Sequence, residues 1–169
     1  MKIKMNPNPK LKIEADDFDK KLELLGYFLL FFLWVYSVYA FTVLPDIIPT
    51  HFNIKGEVDS FGSKMMVLFL PLVGTIMYVS LTFLNKYPHF FNYPSKITPE
   101  NAFAKYTVAT KMMRVLKNEL LFIFSIIQIF TYLSVKGETS SLIFWFLPFV
   151  IILMLATMIY FIVKLTKAK

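Results

Sequence analysis

Four long apolar blocks, separated by polar segments, limit what this chain can fold into. They occupy residues 24–44, 65–84, 119–135 and 141–163 of the 169 in the sequence. An α-helix rises about 1.5 Å per residue, so about 20 residues cross a hydrocarbon layer of about 30 Å. Hydrophobic residues make up 57% of the chain, which is more than a soluble domain normally carries. We therefore predict an all-α membrane protein with four transmembrane helices.

The apolar blocks divide the chain into five parts. These are a cytoplasmic N-terminal segment (1–23), a helical hairpin with an outer loop (24–84, loop 45–64), a cytoplasmic loop with an amphipathic helix (85–118), a second helical hairpin (119–163) and a cytoplasmic tail (164–169). The first helix is predicted to begin near Asp16 and to continue into the first span. Only the sequence KGETS separates the last two blocks, so these two spans are predicted to be antiparallel neighbours.

Lysine and arginine are distributed unevenly along the chain. Fifteen of the 18 lie in the N-terminal segment, the second loop and the tail, whereas three lie in the other two loops. Because these residues accumulate in cytoplasmic loops, both termini and the second loop are predicted to be cytoplasmic. The loop between the first two spans then faces the outside. The net charge is +7, and the cations that produce it flank the apolar blocks, so they are predicted to contact the cytoplasmic membrane surface. No nucleic acid is predicted as a partner.

The most unusual segment is LPDIIPTHFNIKGEVDSFGSK, residues 44–64, between the first two spans. Pro45 and Pro49 prevent the first helix from continuing. The alternation in THFNI predicts a strand, and Gly56 in KGE allows a turn back toward VDSFG. We predict that this extracytoplasmic loop is ordered and forms a small hairpin or a compact cap over the bundle.

The polar side chains of this loop have three interpretations. They hydrogen-bond the loop to itself, recognise an external ligand, or bind a metal through His51 with Asp46 or Asp59. Metal-ligand spacing such as His-x-x-His is absent, and His89 is predicted on the opposite membrane face, so no cofactor is predicted. The residues assigned to ligand binding or to loop shape are Pro45, Asp46, Pro49, His51, Asn53, Gly56, Asp59 and Lys64.

An enzyme is the rival class of protein. The chain has no cysteine, which excludes thiol nucleophiles and Cys-based zinc sites. No nucleophile-elbow motif surrounds any serine, and no catalytic residue is assigned. A small membrane hydrolase or transferase, metal-assisted through the outer loop, stays open as an alternative.

The second half of the long cytoplasmic loop predicts an amphipathic helix. Thr98 suits the N-cap and Pro99 the first helical position. Apolar residues at helical spacing share one face, namely Ala102, Tyr106, Ala109, Met113, Leu116 and Leu120. The cations on its other faces are Lys105, Lys111, Arg114 and Lys117. They are predicted to contact anionic lipid or a cytoplasmic partner, and the helix either lies at the membrane surface or runs straight into the third span.

The outer loop and its flanking spans resemble the bacterial membrane domain called domain of unknown function 1648. The residues that carry the resemblance are Leu44, Pro45, Ile48, Pro49, His51, Phe52, Asn53, Gly56, Asp59, Gly62 and Lys64. The stretch NYPSKITPENA, residues 92–102, is similar to a short stand-alone subgroup of that family. A member of the family protects its membrane from a secreted toxic peptide and captures a transcriptional repressor. The resemblance therefore implies an outer loop that senses a peptide and an inner surface that recruits a regulator.

Together these observations predict an integral protein of the bacterial inner membrane, of immunity or envelope-signalling type. It would sense or neutralise an extracytoplasmic ligand through residues 44–64. Membrane lipid is the expected partner, and the resemblance adds an extracytoplasmic peptide and a cytoplasmic regulator. The aromatic-rich spans also fit an accessory subunit of a larger membrane complex.

Overall fold

The computed structural model describes residues 8–138 and 141–169, which form four long helices and one two-stranded sheet. In chain order the elements are α1 (Asp17–Val43), β1 (Ile47–Phe52), β2 (Val58–Ser63), α2 (Phe69–Leu84), α3 (Ala102–Val135) and α4 (Ser141–Lys167). Short 3-10 helices precede α2 at Lys64–Leu68 and follow it at Pro88–Phe90. Four residues that the sequence predictions used lie outside the described ranges. They are Lys2 and Lys4, which were counted for the orientation, and Thr139 and Ser140 of the KGETS connection.

The helices of the described chain are long and apolar enough to cross a membrane. The candidate spans are Asp17–Val43, Lys64–Leu84, Ala102–Val135 and Ile143–Lys167. Large apolar side chains remain exposed on their outer surfaces, and Trp145 and Ile152 of α4 are examples. Lipid tails are as apolar as these side chains, so such surfaces are stable within a bilayer. The prediction of an all-α membrane protein with four transmembrane helices is confirmed.

The boundaries of α1 follow from local chemistry. Asp16 caps the helix, because its Oδ1 accepts a hydrogen bond from the Asp19 N–H at 2.8 Å while Asp19 Oδ2 accepts one from the Asp16 N–H. The helix ends at Val43, and Leu44 is extended with φ −83° and ψ 149°. A residue that precedes a proline disfavours the helical conformation, so Pro45 accounts for this end. The predicted start at Asp16 is confirmed.

Helix α3 differs from its predicted form in one respect. It begins at Ala102, not at Pro99, because Asn101 Oδ1 accepts a hydrogen bond from the Thr98 N–H and holds residues 98–101 in a turn. The amphipathic segment and the third span form one continuous helix, which was the second of the two predicted arrangements. No glycine or proline interrupts the sequence between Glu100 and Lys136, so nothing local divides the helix.

Helix α3 occupies the centre of the bundle and packs against the other three helices. Leu33 of α1, Tyr78 of α2 and Leu121 of α3 form a buried cluster in the middle. The neighbours α3 and α4 are antiparallel, as predicted, since Glu119 contacts Thr157 and Phe130 contacts Phe146. A second buried cluster lies at the loop between α1 and α2 and consists of Ala40, Leu44, Ile48 and Val67.

The polar connections gather at opposite ends of this bundle. The loop between α1 and α2 lies beside the start of α4, because a Cβ added at Gly56 would lie 3.0 Å from the Phe144 backbone nitrogen. At the other end, Asn8 Nδ2 donates a hydrogen bond to the His89 carbonyl oxygen at 3.0 Å. The N-terminal segment and the second loop therefore lie at the same end, as the charge distribution requires.

Candidate ligand-binding site

The loop between α1 and α2 forms the predicted hairpin. Strand β1 pairs antiparallel with β2, with Ile47 opposite Ser63, and the register shifts on both sides of His51. Gly56 in the turn has a φ of 78°, in the left-handed region that glycine adopts without steric cost. The strands contain β-branched and aromatic residues, namely Ile47, Ile48, Thr50 and Phe52 in β1 and Val58 and Phe61 in β2. The turn between them depends on Gly56.

The base of the hairpin is closed by an ion pair. Lys64 Nζ lies 3.0 Å from Asp46 Oδ1, and the Lys64 N–H donates a hydrogen bond to the Asp46 carbonyl oxygen at 2.9 Å. Ser63 Oγ accepts a hydrogen bond from the Met65 N–H and so caps the 3-10 turn that leads into α2. Pro49 lies within β1 and is buried. These residues determine the shape of the loop.

Asn53 organises the turn. Its Oδ1 accepts hydrogen bonds from the N–H groups of Lys55 at 2.8 Å and Glu57 at 3.1 Å. Its Nδ2 donates to Glu57 Oε2 at 2.8 Å, and its carbonyl oxygen accepts from the Gly56 N–H at 2.9 Å. An asparagine side chain that bonds to backbone groups further along the chain in this way stabilises a turn.

His51 and Asp59 pair across the two strands. His51 Nδ1 lies 2.5 Å from Asp59 Oδ1, while 67% of the His51 side chain and 42% of the Asp59 side chain remain exposed. An exposed pair of this kind contributes little to the stability of a fold. The imidazole and the carboxylate are thus oriented by each other and still accessible from outside the hairpin.

A cavity of about 570 Å³ separates the hairpin from α3 and α4. Its lining consists of His51, Phe52, Asn53, Ile54, Asp59, Ile127, Phe130, Ile143, Phe146 and Leu147. The hairpin supplies the polar side chains on one side, and the two helices supply an apolar wall on the other. A cavity with this volume and this distribution of polarity has the character of a site for an amphipathic ligand.

The sequence indicated only the hairpin half of this cavity. Ile127 and Phe130 of α3 and Ile143, Phe146 and Leu147 of α4 line the other half, and none of them was singled out. Each of these residues lies in an apolar span where neighbouring positions have the same composition. The only signal that could have indicated them is the short connection between the last two spans, which brings the start of α4 to the hairpin.

The hairpin does not gather a set of metal ligands. Among the described residues, no three His, Asp or Glu side chains are grouped closely enough to hold an ion. Asp46 is paired with Lys64 at the base of the hairpin, so it does not join His51 and Asp59 in a three-ligand group.

The cations of α3 lie elsewhere than predicted. Lys105, Arg114 and Lys117 are buried, whereas the sequence placed them on faces other than the apolar one, in contact with lipid or a cytoplasmic partner. Lys105 Nζ donates to Ser95 Oγ at 2.5 Å. The expected contact of Arg114 and Lys117 with lipid or a partner is corrected, because α1 carries two carboxylates, Asp19 and Glu23, that face α3.

These two carboxylates are the centre of a buried polar cluster. Asp19 is 2% exposed and lies 3.5 Å from Arg114 Nη1. Glu23 Oε1 accepts a hydrogen bond from Arg114 Nε at 3.0 Å, and Lys117 Nζ lies 2.5 Å from Glu23 Oε2. Tyr78 of α2 also donates a hydrogen bond to Glu23 Oε2, at 3.3 Å. The cluster therefore joins α1, α2 and α3 at the end opposite the hairpin.

At the rim of the cluster, Lys111 bonds to the residue that caps α1. Its Nζ lies 2.6 Å from Asp16 Oδ2 and 3.6 Å from Asp19 Oδ1. The hydrogen bond from Lys111 lowers the pKa of the Asp16 carboxyl below its usual range, and the bond from the Asp19 N–H acts in the same direction. Sequence reasoning missed Asp16, Asp19 and Glu23 as partners of α3, because about 90 residues separate them from it along the chain.

The apolar helices and their polar connections define a multi-pass integral membrane protein. Residues 28–75 match the sequence model of the family described as a domain of unknown function (DUF1648). The match begins within α1, includes the whole β-hairpin and ends within α2. The resemblance predicted from the loop residues is confirmed over this segment.

The chain is also similar to an uncharacterized protein of the archaeon Archaeoglobus fulgidus. The two sequences are 33% identical over an alignment of 101 positions, which covers 55% of this chain and 52% of the relative. The chain thus spans about half the length of that relative. No solved structure matches the chain.

Proposed function

We propose that this membrane protein recognises an amphipathic peptide that arrives from outside the membrane, and that it neutralises the peptide or signals its presence. The observation that carries the proposal is the cavity of about 570 Å³ between the β-hairpin and the helices α3 and α4. Immunity and envelope signalling share this first step, which is capture of the ligand at the hairpin.

The composition of the cavity supports a ligand with two chemical sides. Phe130 and Phe146 contact each other at right angles, with ring centroids 5.2 Å apart, and present aromatic surface to the cavity. A membrane-active peptide buries its apolar side chains against such a wall. The exposed His51–Asp59 pair offers a carboxylate and an imidazole to the polar side of the peptide.

The position of the cavity also supports capture of a peptide at the membrane surface. Ile54 at the tip of the hairpin is 80% exposed and lines the cavity, so an apolar group lies at its entrance. A peptide that partitions into the membrane surface would reach this entrance sideways. Contact with both the hairpin and α4 would then change how the first and second helical hairpins pack.

Protection of living cells tests this proposal. The chain is expressed in a bacterial host, which is challenged with a panel of secreted membrane-active peptides, and survival is compared with that of cells lacking the chain. Any peptide against which the chain protects is labelled, and its binding to the purified chain in lipid nanodiscs is measured. We expect Ile54→Asp, His51→Ala and Asp59→Ala each to weaken binding about fivefold or more, as truncation of important contact residues does.

Lys55→Ala is the matched control, because Lys55 is exposed beside Ile54 and is not part of the cavity lining. This variant should protect and bind like the unmodified chain. If protection by His51→Ala, Asp59→Ala and Ile54→Asp equals that of the unmodified chain, the hairpin has only a structural role. If no peptide in a broad panel gives protection, peptide neutralisation is rejected.

A further inference from the structure

A second cavity, of about 550 Å³, lies between α1, α3 and α4 at the end of the bundle opposite the hairpin. Its lining consists of Phe18, Lys111, Val115, Ala156, Thr157, Tyr160, Phe161 and Lys164. It shares no residue with the cavity at the hairpin, so it requires an explanation independent of peptide capture.

The residues that line the second cavity change from charged to apolar along the axis of α4. Lys164 is the first charged residue after the uncharged stretch of residues 143–163. From Lys164 the lining runs back along α4 to Thr157 and Ala156, a distance of about 12 Å at the helical rise per residue. Its charged end therefore lies at the boundary of the apolar layer, and its apolar end lies within that layer.

Of the two cations at the charged end, Lys164 has no carboxylate partner among the described residues. Within the described part of the chain, no Asp or Glu oxygen lies within 4.0 Å of Lys164 Nζ, which is 4.7 Å from the centroid of the Tyr160 ring. Lys111 on the facing helix is held in place by Asp16 and contacts the Phe18 ring at 5.1 Å. Two cations thus border a cleft whose walls are aromatic and aliphatic.

We propose that this second cavity binds one anionic phospholipid. The phosphate group lies between Lys164 and Lys111, and one acyl chain follows the cleft past Val115 toward Ala156. A phospholipid satisfies both ends of the cavity at once, because its anionic headgroup and its apolar chain meet at the depth where Lys164 ends the apolar stretch. A soluble anion would use only the charged end, and a neutral lipid would supply no anionic partner for Lys164.

Retention of lipid by the purified chain tests this inference. The chain is reconstituted in nanodiscs containing equal amounts of phosphatidylglycerol and phosphatidylcholine. It is then released from the nanodiscs, and the lipids that remain bound to it are identified by native mass spectrometry. We expect phosphatidylglycerol to be retained in preference to phosphatidylcholine. Lys164→Gln should reduce that retention about fivefold, the usual contribution of one cation near an anionic membrane surface.

Two matched pairs of variants separate a defined site from general attraction. Lys167→Gln removes an exposed cation three residues further along α4 that is not part of the lining, and it should leave retention unchanged. Ala156→Phe fills the apolar end and should reduce retention, whereas Leu155→Phe, at an exposed position outside the lining, should not. Circular dichroism confirms that each variant keeps its helical content.

Three results would overturn the inference. Equal retention of the two lipids would show that charge is not recognised. Equal effects of Lys164→Gln and Lys167→Gln would show diffuse attraction to the membrane surface. Complete displacement of phosphatidylglycerol by excess inorganic phosphate would show a simple anion site in which the apolar end has no role.

Discussion

Lys117 Nζ lies 2.5 Å from Glu23 Oε2, in a site where only 1% of the lysine side chain is exposed. The same ammonium group donates a hydrogen bond to Thr82 Oγ1 at 2.9 Å and lies 4.4 Å from the centroid of the Tyr78 ring. One cation of α3 therefore contacts both α1 and α2. Because the group is buried, its partners have to be present for the three helices to pack.

Glu23→Gln should destabilise the protein strongly. The substitution keeps the size of the side chain but leaves Lys117 without its carboxylate and Arg114 with only Asp19 as an anionic neighbour. Removing one partner of a buried ion pair costs about 3–5 kcal/mol, and since Glu23 is partly exposed we expect about 2–4 kcal/mol. Unfolding by sodium dodecyl sulfate, followed by circular dichroism, measures this change.

Asp17→Asn is the control for the buried pair, because Asp17 pairs with Lys20 on the exposed surface of α1. It should change the free energy of unfolding by less than about 1 kcal/mol. Adding Lys117→Met to Glu23→Gln removes one uncompensated charge and should recover part of the stability. Equal stability of the Glu23→Gln and Asp17→Asn variants would contradict the structural role of the buried cluster.

Gly26→Ala should also destabilise the bundle. A Cβ at Gly26 would lie 2.6 Å from both Asn118 Oδ1 and Tyr78 Cε2, closer than carbon atoms normally approach either atom. Overpacking of this kind costs about 1–3 kcal/mol. In a double-mutant cycle, Asn118→Ala should make the Gly26 substitution less costly, since it removes Asn118 Oδ1 from the clash. Additive effects would argue against this close contact.

Asn53→Ala should loosen the turn of the β-hairpin while leaving the helices intact. The substitution removes the Oδ1 acceptor for the N–H groups of Lys55 and Glu57. A typical hydrogen bond contributes about 1 kcal/mol to the stability of the folded state. Hydrogen–deuterium exchange of peptides covering residues 53–58 should become about fivefold faster. Lys55→Ala keeps both N–H groups bonded and is the control. Unchanged exchange in Asn53→Ala would contradict the assigned turn.

The contact between Asp16 and Lys111 predicts a dependence of stability on pH. The folded state lowers the pKa of Asp16, so its contribution is fully present above the unfolded pKa and is lost as the pH falls through the folded pKa. Lys111→Met should raise the Asp16 pKa in a carbon-13 carboxyl NMR titration. The free energies of unfolding of the unmodified chain and of Lys111→Met should differ most above a pH of about 4, and the difference should disappear at lower pH. A pKa of Asp16 that is the same in both would refute the contact.

The absence of cysteine makes the orientation in the membrane measurable. Lys55→Cys places a single thiol at the hairpin, and Lys96→Cys places one in the second loop. A membrane-impermeant maleimide added to intact cells should label Lys55→Cys and should label Lys96→Cys only after lysis, as the distribution of Lys and Arg predicts. The reverse pattern would show that the hairpin faces the cytoplasm.

The sequence determined those features that depend on neighbouring residues. Four apolar blocks specified four spans, because the length of an apolar helix has to match the thickness of the bilayer. Asp16 and Pro45 specified where α1 begins and ends, since capping and proline sterics act within a few residues. Gly56 and the alternation before it likewise specified the hairpin.

Only the tertiary structure decided which distant groups meet. Lys105, Arg114 and Lys117 have the pattern of an exposed basic face, and two of them are buried because Glu23, about 90 residues earlier, supplies their counter-charge. The apolar wall opposite the hairpin arises in the same way, from positions of α3 and α4 that composition alone does not distinguish. Helical periodicity specifies which residues share a face, but only packing decides whether that face meets lipid, water or another helix.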